Sequence, residues 1–275
     1  MEQKLKAACI QMSSGPVITG NLDEAEKLIR QAAAQGAKFI ATPENTCHIR
    51  MPSVEKLNSA PAQEDHPGLP RFSALAKELG VWILIGSMAV KASEDKLYNR
   101  SFLFDDQGNL AVHYDKIHLF DVVLSEKEKY GESEVIEPGT EAVVAWTPWG
   151  GMGMSICYDL RFAYLYRDLA KAGAGILLIP AAFTVPTGKA HWETLLRARA
   201  IETGSFVIAP GQTGEHEGGR KTWGHSLIID PWGKILAEGG EKVGVVTAEL
   251  DLSEVEAART RIPSLLHDRK YKVRS

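Results

Sequence analysis

The sequence predicts a layered α/β fold in which two similar sheets pack face to face with helices outside, a four-layer α-β-β-α sandwich with an internal repeat. Three observations lead there. Apolar runs of strand length alternate with stretches of helical periodicity. Turn signals join some of the strands directly, so antiparallel hairpins accompany the parallel pairs. The order of elements also recurs: Gly36-Ala37-Lys38-Phe39-Ile40 is echoed by Gly173-Ala174-Gly175-Ile176-Leu177, and Asn99-Arg100-Ser101-Phe102-Leu103-Phe104-Asp105 by Gly224-His225-Ser226-Leu227-Ile228-Ile229-Asp230. This gives two β-α-β-α-β-β halves, a period far longer than that of a solenoid.

In chain order, residues 6–12 read as a first strand. Asn21 is the expected N-cap of a helix with Asp23, Glu24 and Glu26 in its first turn. Leu22, Ala25, Leu28, Ile29, Ala32 and Ala33 form its apolar face, and Gly36 ends it. Residues 38–42 are a second strand, followed by Pro43-Glu44; a helix over 70–79 is closed by Gly80, and 81–86 is a third strand. Residues 99–104 and 110–114 flank Asp105-Asp106-Gln107-Gly108, a hairpin turn with glycine where positive φ is needed. In the second half, 152–157 is strand, 160–171 helix, 175–180 strand, 191–202 helix and 206–210 strand. A hairpin over 226–229 and 235–238 turns at Asp230-Pro231-Trp232-Gly233. From Asp251 the chain is polar, helical and then extended, and it repeats nothing earlier; residues 1–275 are expected to form a single domain.

Composition excludes several classes. The net charge is -4 without a Lys/Arg cluster, so nucleic acid is not an expected partner. Apolar runs such as 81–85 and 175–182 are too short to span a bilayer, and residues 1–6 lead straight into a strand, so neither membrane nor signal peptide is expected. Three cysteines, Cys9, Cys47 and Cys157, lack framework spacing and suit a reducing cytoplasm. With no zinc spacing, His-Glu-x-x-His or phosphate loop, neither metal nor organic cofactor is expected.

Chemistry centres on residues 151–162, which read as a strand turning into a helix at Cys157. N–H groups at such a helix start favour a thiolate and hold an oxyanion, although a free cysteine is as often a small buried hydrophobe. Three other residues have bland readings taken singly: Glu44 as a turn residue, Lys116 as a strand-edge charge, Glu132 as loop surface. Together they make a hydrolytic site. Cys157 is the nucleophile, Glu44 the base if burial raises its pKa, and Lys116 with the Tyr158 N–H the oxyanion partners. Ser155 lies within the strand, which disfavours a serine nucleophile; a Cys–His pair could use His118, His191 or His225, of which His191, read as a helix-start residue, and His225 suit structural bonds better.

Four motifs in order carry a resemblance over essentially the whole chain: Thr42-Pro43-Glu44, Tyr114-Asp115-Lys116-Ile117-His118-Leu119, Gly131-Glu132-Ser133, and Ser155-Ile156-Cys157-Tyr158-Asp159-Leu160-Arg161-Phe162. The chain resembles the nitrilase superfamily of carbon–nitrogen hydrolases. The resemblance implies the α-β-β-α fold, a Glu44-Lys116-Cys157 triad with Glu132 as a second glutamate, and a thioester acyl-enzyme released by water without a cofactor. It also implies a homodimer or higher oligomer, with 251–275 reaching to the interface. Residues 187–203, with Trp223-Gly224-His225-Ser226 and Asp230-Pro231-Trp232-Gly233, are similar to the branch of small omega-amidases. Asp115 departs from that branch, many members of which carry Arg there.

The substrate so implied is a small-molecule amide that releases ammonia, the 2-oxo acid form of glutathione first, with 2-oxoglutaramate, an N-carbamoyl amine or a nitrile as alternatives. A binding protein that has kept the fold and lost the reaction is the alternative of another class, against which all four catalytic residue types are present. A dicarboxylate-like 2-oxo amide needs cations at the pocket mouth, and Arg50, Lys189 and Arg220 are the candidates, with solvated surface charge as the alternative for each. Phe183 and Thr187 are expected to wall the pocket.

Overall fold

Both faces of the first strand are buried, and this sets the layering. In the computed structural model, which describes residues 2–51, 53–126 and 128–274, the first half runs β1 (Lys4–Gln11), α1 (Ile18–Ala34), β2 (Phe39–Ala41), α2 (Ser53–Ser59), α3 (Gly68–Leu79), β3 (Trp82–Lys91), β4 (Leu97–Phe104) and β5 (Leu110–Asp115). A small hairpin of β6 (Asp121–Val123) and β7 (Lys129–Gly131) leads to β8 (Val144–Thr147). The second half runs β9 (Gly150–Met154), α4 (Ala163–Lys171), β10 (Ala174–Leu178), α5 (Val185–Thr203) and β11 (Phe206–Ala209). The hairpin of β12 (Thr213–Glu215) and β13 (Lys221–Trp223) precedes β14 (Leu227–Ile229) and β15 (Ile235–Glu238), and β16 (Gly244–Asp251) and α6 (Ser253–Arg261) follow.

Two six-stranded sheets result, in the orders β16-β1-β2-β3-β4-β5 and β15-β14-β11-β10-β9-β8. In each, three strands run parallel (β1-β2-β3 and β9-β10-β11) and two follow antiparallel (β4-β5 and β14-β15). A further antiparallel strand flanks the first of each set, β16 on β1 and β8 on β9. The repeat read from the sequence is therefore a repeat of topology. Side chains alternate across a strand. Leu5, Ala7, Cys9, Phe39 and Leu84 share one core with Met152, Met154, Ile176 and Leu178 of the other sheet. Ala8, Ile10, Ile40, Ile83 and Ile85 pack instead with Leu22, Leu28 and Ile29 of α1 and Phe72 and Leu75 of α3. Leu165 and Leu169 of α4 and Trp192 and Leu196 of α5 cover the second sheet, which completes the four layers.

Some local expectations fail. Asn21 is no N-cap: α1 starts at Ile18 after Val17, has no acidic residue in its first turn, and encloses Asn21. The Asn21 side chain bonds the Gly15 N–H and the Gly15 and Cys47 carbonyls, so its capping chemistry ties a loop instead. The helix expected over 191–202 begins at Val185, with Pro186 in its opening turn, so His191 lies inside it. Cys47 lies in the turn after β2 and is fully buried.

β3 runs past residue 86 through a register shift between Ile85 and Met88. Gly86 permits it: a Cβ there would stand 2.1 Å from the Thr42 carbonyl oxygen and 2.5 Å from the Pro43 oxygen and from Pro180 Cβ. Backbone cannot yield as a flexible side chain does. Gly86→Ala is expected to cost about 3 kcal/mol, the upper end for overpacking, read as a lower urea midpoint; an unchanged midpoint would refute the close-contact argument.

Candidate active site

The site lies where β2, β5 and β9 end. Thr42-Pro43 turns the chain after β2, and the Thr42 hydroxyl, paired with Thr46 at 2.7 Å and accepting from the Gly86 N–H at 3.0 Å, fixes the turn that carries Glu44. Lys116 follows β5. Asp115, the departure noted above, points the other way and takes a two-pronged ion pair from Arg100 at 2.6 and 2.7 Å. Alternation along the strand leaves Lys116 facing inward.

Cys157 follows β9 at φ +50, in the left-handed region. Such a conformation is costly for a residue with a Cβ and persists only where neighbours enforce it. They do: the Cys157 N–H donates to the Pro180 carbonyl at 2.9 Å. Buried Asp159 accepts from the Ile156 N–H at 2.8 Å, the Tyr114 hydroxyl at 2.7 Å and the His118 N–H at 2.9 Å. A 3-10 turn, Cys157–Arg161, separates the cysteine from α4. The thiol thus does not sit on the first turn of the long helix, and the expected stabilisation of a thiolate by that helix is weakened. The Tyr158 N–H has no acceptor among the described residues and remains available to an oxyanion.

The charged groups converge on Lys116. Its Nζ donates to Glu44 Oε1 at 2.8 Å and to Glu132 Oε1 and Oε2 at 3.0 and 2.8 Å. Asn99 Nδ2 bridges the same carboxylates at 3.0 and 3.1 Å. Glu132 also accepts from the Phe120 N–H at 2.7 Å, and Glu44 Oε2 from the Ala182 N–H at 2.9 Å. The Cys157 thiol lies beside the Glu44 carboxylate.

Protonation states follow. Burial pushes the Glu44 carboxyl up, but the Lys116 ammonium outweighs it and holds the group below the usual range, at about 2. This reverses the sequence expectation of a base with a raised pKa. Burial also opposes the Lys116 charge, yet Glu132 and Glu44 raise its pKa above the ordinary lysine value. Burial and the Glu44 carboxylate push the Cys157 thiol well up against the opposing pull of Lys116. The resting pair is a neutral thiol beside an ionised carboxylate. Such a pair can add sulfur to a carbonyl carbon while the proton moves to Glu44, next to a fixed ammonium.

A cavity of about 720 Å³ opens over these groups and is lined by Glu44, Lys116, Glu132, Cys157 and Tyr158 together with Arg50, Phe183, Thr187 and Arg220. Lys189 does not line it, because α5 starts early enough to carry Lys189 on its exposed side. Lys56 of α2 lines the cavity unforeseen, as a lysine in a short polar helix carries no sequence signal. Ser155 is buried, bonding the Leu178 carbonyl and the Tyr166 hydroxyl, and neither His118, His191 nor His225 lines the cavity. Among the described residues no cluster of His, Cys, Asp and Glu suits a metal ion.

The family model described as Carbon-nitrogen hydrolase matches residues 6–260. The chain is 43% identical over 266 residues to the deaminated glutathione amidase of Synechocystis sp., covering 95% of this chain and 97% of that protein. It is 37% identical over 262 residues to the omega-amidase NIT2 of Xenopus tropicalis, covering 94% and 93%. Among solved structures, the Caenorhabditis elegans NitFhit protein superposes with a TM-score of 0.91 at 36% identity; the match covers 97% of this chain and 65% of that longer one.

Proposed function

The chain belongs to the carbon–nitrogen hydrolase family and hydrolyses amide C–N bonds, and from that premise we propose that residues 1–275 act as one hydrolase domain working through a thioester on Cys157. The neutral thiol beside ionised Glu44 carries this reading. As sulfur attacks the amide carbon, its proton passes to Glu44, and the carbonyl electron pair moves to oxygen, held by Lys116 and the Tyr158 N–H. Collapse breaks the C–N bond, and Glu44 returns the proton to the departing nitrogen. Water, deprotonated by Glu44, then attacks the thioester; the acid leaves and Cys157 regains its proton. Glu132 braces Lys116, having both oxygens on Nζ.

The proposed substrate is deaminated glutathione, supported by the Synechocystis relative and by a cavity roomy enough for a peptide-sized amide. Its scissile nitrogen belongs to the cysteine residue, so the leaving group is cysteinylglycine; the ammonia expected from the sequence applies to 2-oxoglutaramate. The test compares kcat/KM for deaminated glutathione, 2-oxoglutaramate, an N-carbamoyl amine and an aliphatic nitrile, scoring amine, ammonia and acid. Preference for deaminated glutathione supports the assignment, preference for another substrate overturns it, and turnover of none removes the mechanism.

Because Glu44 is held low while Cys157 and Lys116 are raised, none of the three changes protonation near neutrality. For an uncharged amide, kcat/KM is expected to be flat from about pH 5 to about pH 9. A bell centred near neutrality would contradict the resting protonation.

An oligomer is proposed through the layer of α4 and α5, where Tyr164 and Ile201 are exposed and against which the tail packs at Ser264–Leu266, with Ile262 and Leu266 exposed. A monomer by light scattering would refute it. No helix among the described residues is long and apolar enough to cross a membrane, and a cytoplasmic setting is proposed from the three free cysteines.

A further inference from the structure

The ammonium and the sulfur that meet in the site come from different sheets. Lys116 follows β5 of the first sheet, where its N–H donates to the Asn99 carbonyl at 3.0 Å and its carbonyl accepts from the Gly139 N–H at 2.9 Å. Cys157 follows β9 of the second and is tied to Pro180, which follows β10 of that same sheet. Apolar packing between sheets is non-directional, so it does not by itself fix their offset to the precision a reaction needs. One buried carboxylate bonds both segments. Asp159 Oδ2 accepts from the Ile156 N–H at 2.8 Å, just before the nucleophile, and from the Tyr114 hydroxyl at 2.7 Å, just upstream of Lys116. Asp159 Oδ1 accepts from the His118 N–H at 2.9 Å and from His118 Nδ1 at 2.7 Å, just downstream of Lys116. Lys116 is thus flanked on both sides by residues fastened to the Cys157 turn, and each oxygen of the carboxylate takes two donors.

We propose that Asp159 is a positioning residue that sets the distance between the Lys116 ammonium and the Cys157 sulfur, with Tyr114 and His118 as its two holds on the lysine segment. The inference rests on the amide-hydrolase reading, in which Lys116 holds the charge built on oxygen as sulfur attacks. His118 is held in turn from the surface. A carboxylate only accepts, so His118 Nδ1 donates to Asp159, and Nε2 pairs with the Tyr164 hydroxyl. The imidazole also stacks on Phe162 with ring centroids 3.6 Å apart.

Tyr164 lies in the opening turn of α4 and is 60% exposed. A chain of hydrogen bonds therefore runs from the outer face of the molecule to the nucleophile turn. It bypasses the cavity, which none of Tyr114, His118, Asp159 and Tyr164 lines. Burial and the Asp159 carboxylate push the Tyr114 hydroxyl well above its ordinary range, so it remains a donor near neutrality.

The test uses the full chain with deaminated glutathione and 2-oxoglutaramate. Tyr114→Phe removes one hydroxyl and keeps the ring. It should lower kcat about 10- to 100-fold on both substrates, the loss expected of a misplaced reacting group. KM should stay within about threefold, because the lost bond lies outside the cavity. A tyrosine that only stabilises the fold would lower the urea midpoint and leave kcat per folded molecule unchanged, and that result overturns the proposal. Tyr164→Phe alters an exposed hydroxyl and spares the core, so it decides the case if Tyr114→Phe does not fold. Its kcat should fall about 3- to 10-fold, and an unchanged kcat overturns the proposal. His118→Asn keeps a donor near the place of Nδ1 and should match Tyr164→Phe, whereas His118→Leu should fall about tenfold further; equal losses in the two overturn the hold by His118. Alkylation of Cys157 by iodoacetamide needs no turnover, and Cys9 and Cys47 are fully buried. Lys116 pulls the thiol pKa down, so drawing the ammonium away should slow alkylation about tenfold in Tyr114→Phe. An unchanged rate overturns the positioning role. A wild type that cleaves neither amide, with alkylation still slowed in Tyr114→Phe, refutes the hydrolase reading and leaves the positioning role standing.

Discussion

Cys157→Ala is expected to lower turnover by at least about 10^4-fold while the protein folds as before, since the loss of a nucleophile removes the covalent route altogether. The two halves of this expectation have separate causes. The Cys157 sulfur sits beside both Glu44 and Lys116 and carries a transferable proton. Structurally it matters little: the backbone N–H of residue 157 holds the turn through Pro180, and alanine keeps the Cβ that φ +50 already accommodates. Deleting one buried sulfur costs about 1 kcal/mol. Amide turnover and urea unfolding, measured on the same preparation, check both halves. Retained turnover would remove Cys157 from the mechanism; loss of folding would show the turn to depend on the thiol.

Lys116→Met should be damaging on both counts. It leaves Glu44 and Glu132 facing Asn99 without an ammonium, and their side chains are only 3% and 17% exposed. Removing one partner of a buried pair costs about 3–5 kcal/mol, because the charge left behind is not solvated. Turnover should fall by at least about 10^2–10^3-fold through the lost oxyanion partner alone. The pH dependence identifies the cause. In the wild type, the lowered Glu44 pKa contributes stability above the ordinary carboxylate value that is lost as pH falls through the folded one. The raised Lys116 pKa contributes below the ordinary lysine value and is lost as pH rises through the folded one. The cluster is thus fully effective between about pH 4.5 and about pH 10. In the variant, two carboxylates repel until one takes a proton, so its deficit should be large at pH 8 and smaller at pH 5. Equal urea midpoints for wild type and variant at pH 8 would refute the cluster's stabilising role.

What could be read from the sequence and what could not divide along a physical line. Glu44 and Cys157 each follow an apolar strand, β2 and β9, so the periodicity that gives the strands also gives their ends. Lys116 and Glu132 were found through motif order, and the folded chain brings both to Glu44. Lys56 and Asn99 escaped notice because neither sits in a pattern that depends on what the side chain meets across the molecule. Lys189 stands on α5 and not at the pocket mouth because the helix opens at Val185-Pro186, where proline suits the first turn. Protonation was the largest error. Burial alone pushes a carboxylate up, and the sign of the Glu44 shift is set by an ammonium 72 positions further along the chain.

The resting thiol has a bearing on survival under oxidative stress. Peroxides and alkylating agents react with thiolates, and cysteines that exist largely as thiolate at neutral pH are the first to be lost. Cys157 is held on the opposite side of that divide by burial and by the negative charge of its own base. Sulfur becomes nucleophilic only as its proton moves, which requires an electrophilic carbon seated against Glu44. The enzyme thereby keeps a reactive atom in a form that small oxidants seldom meet, and Cys9 and Cys47, fully buried, offer them no easier target.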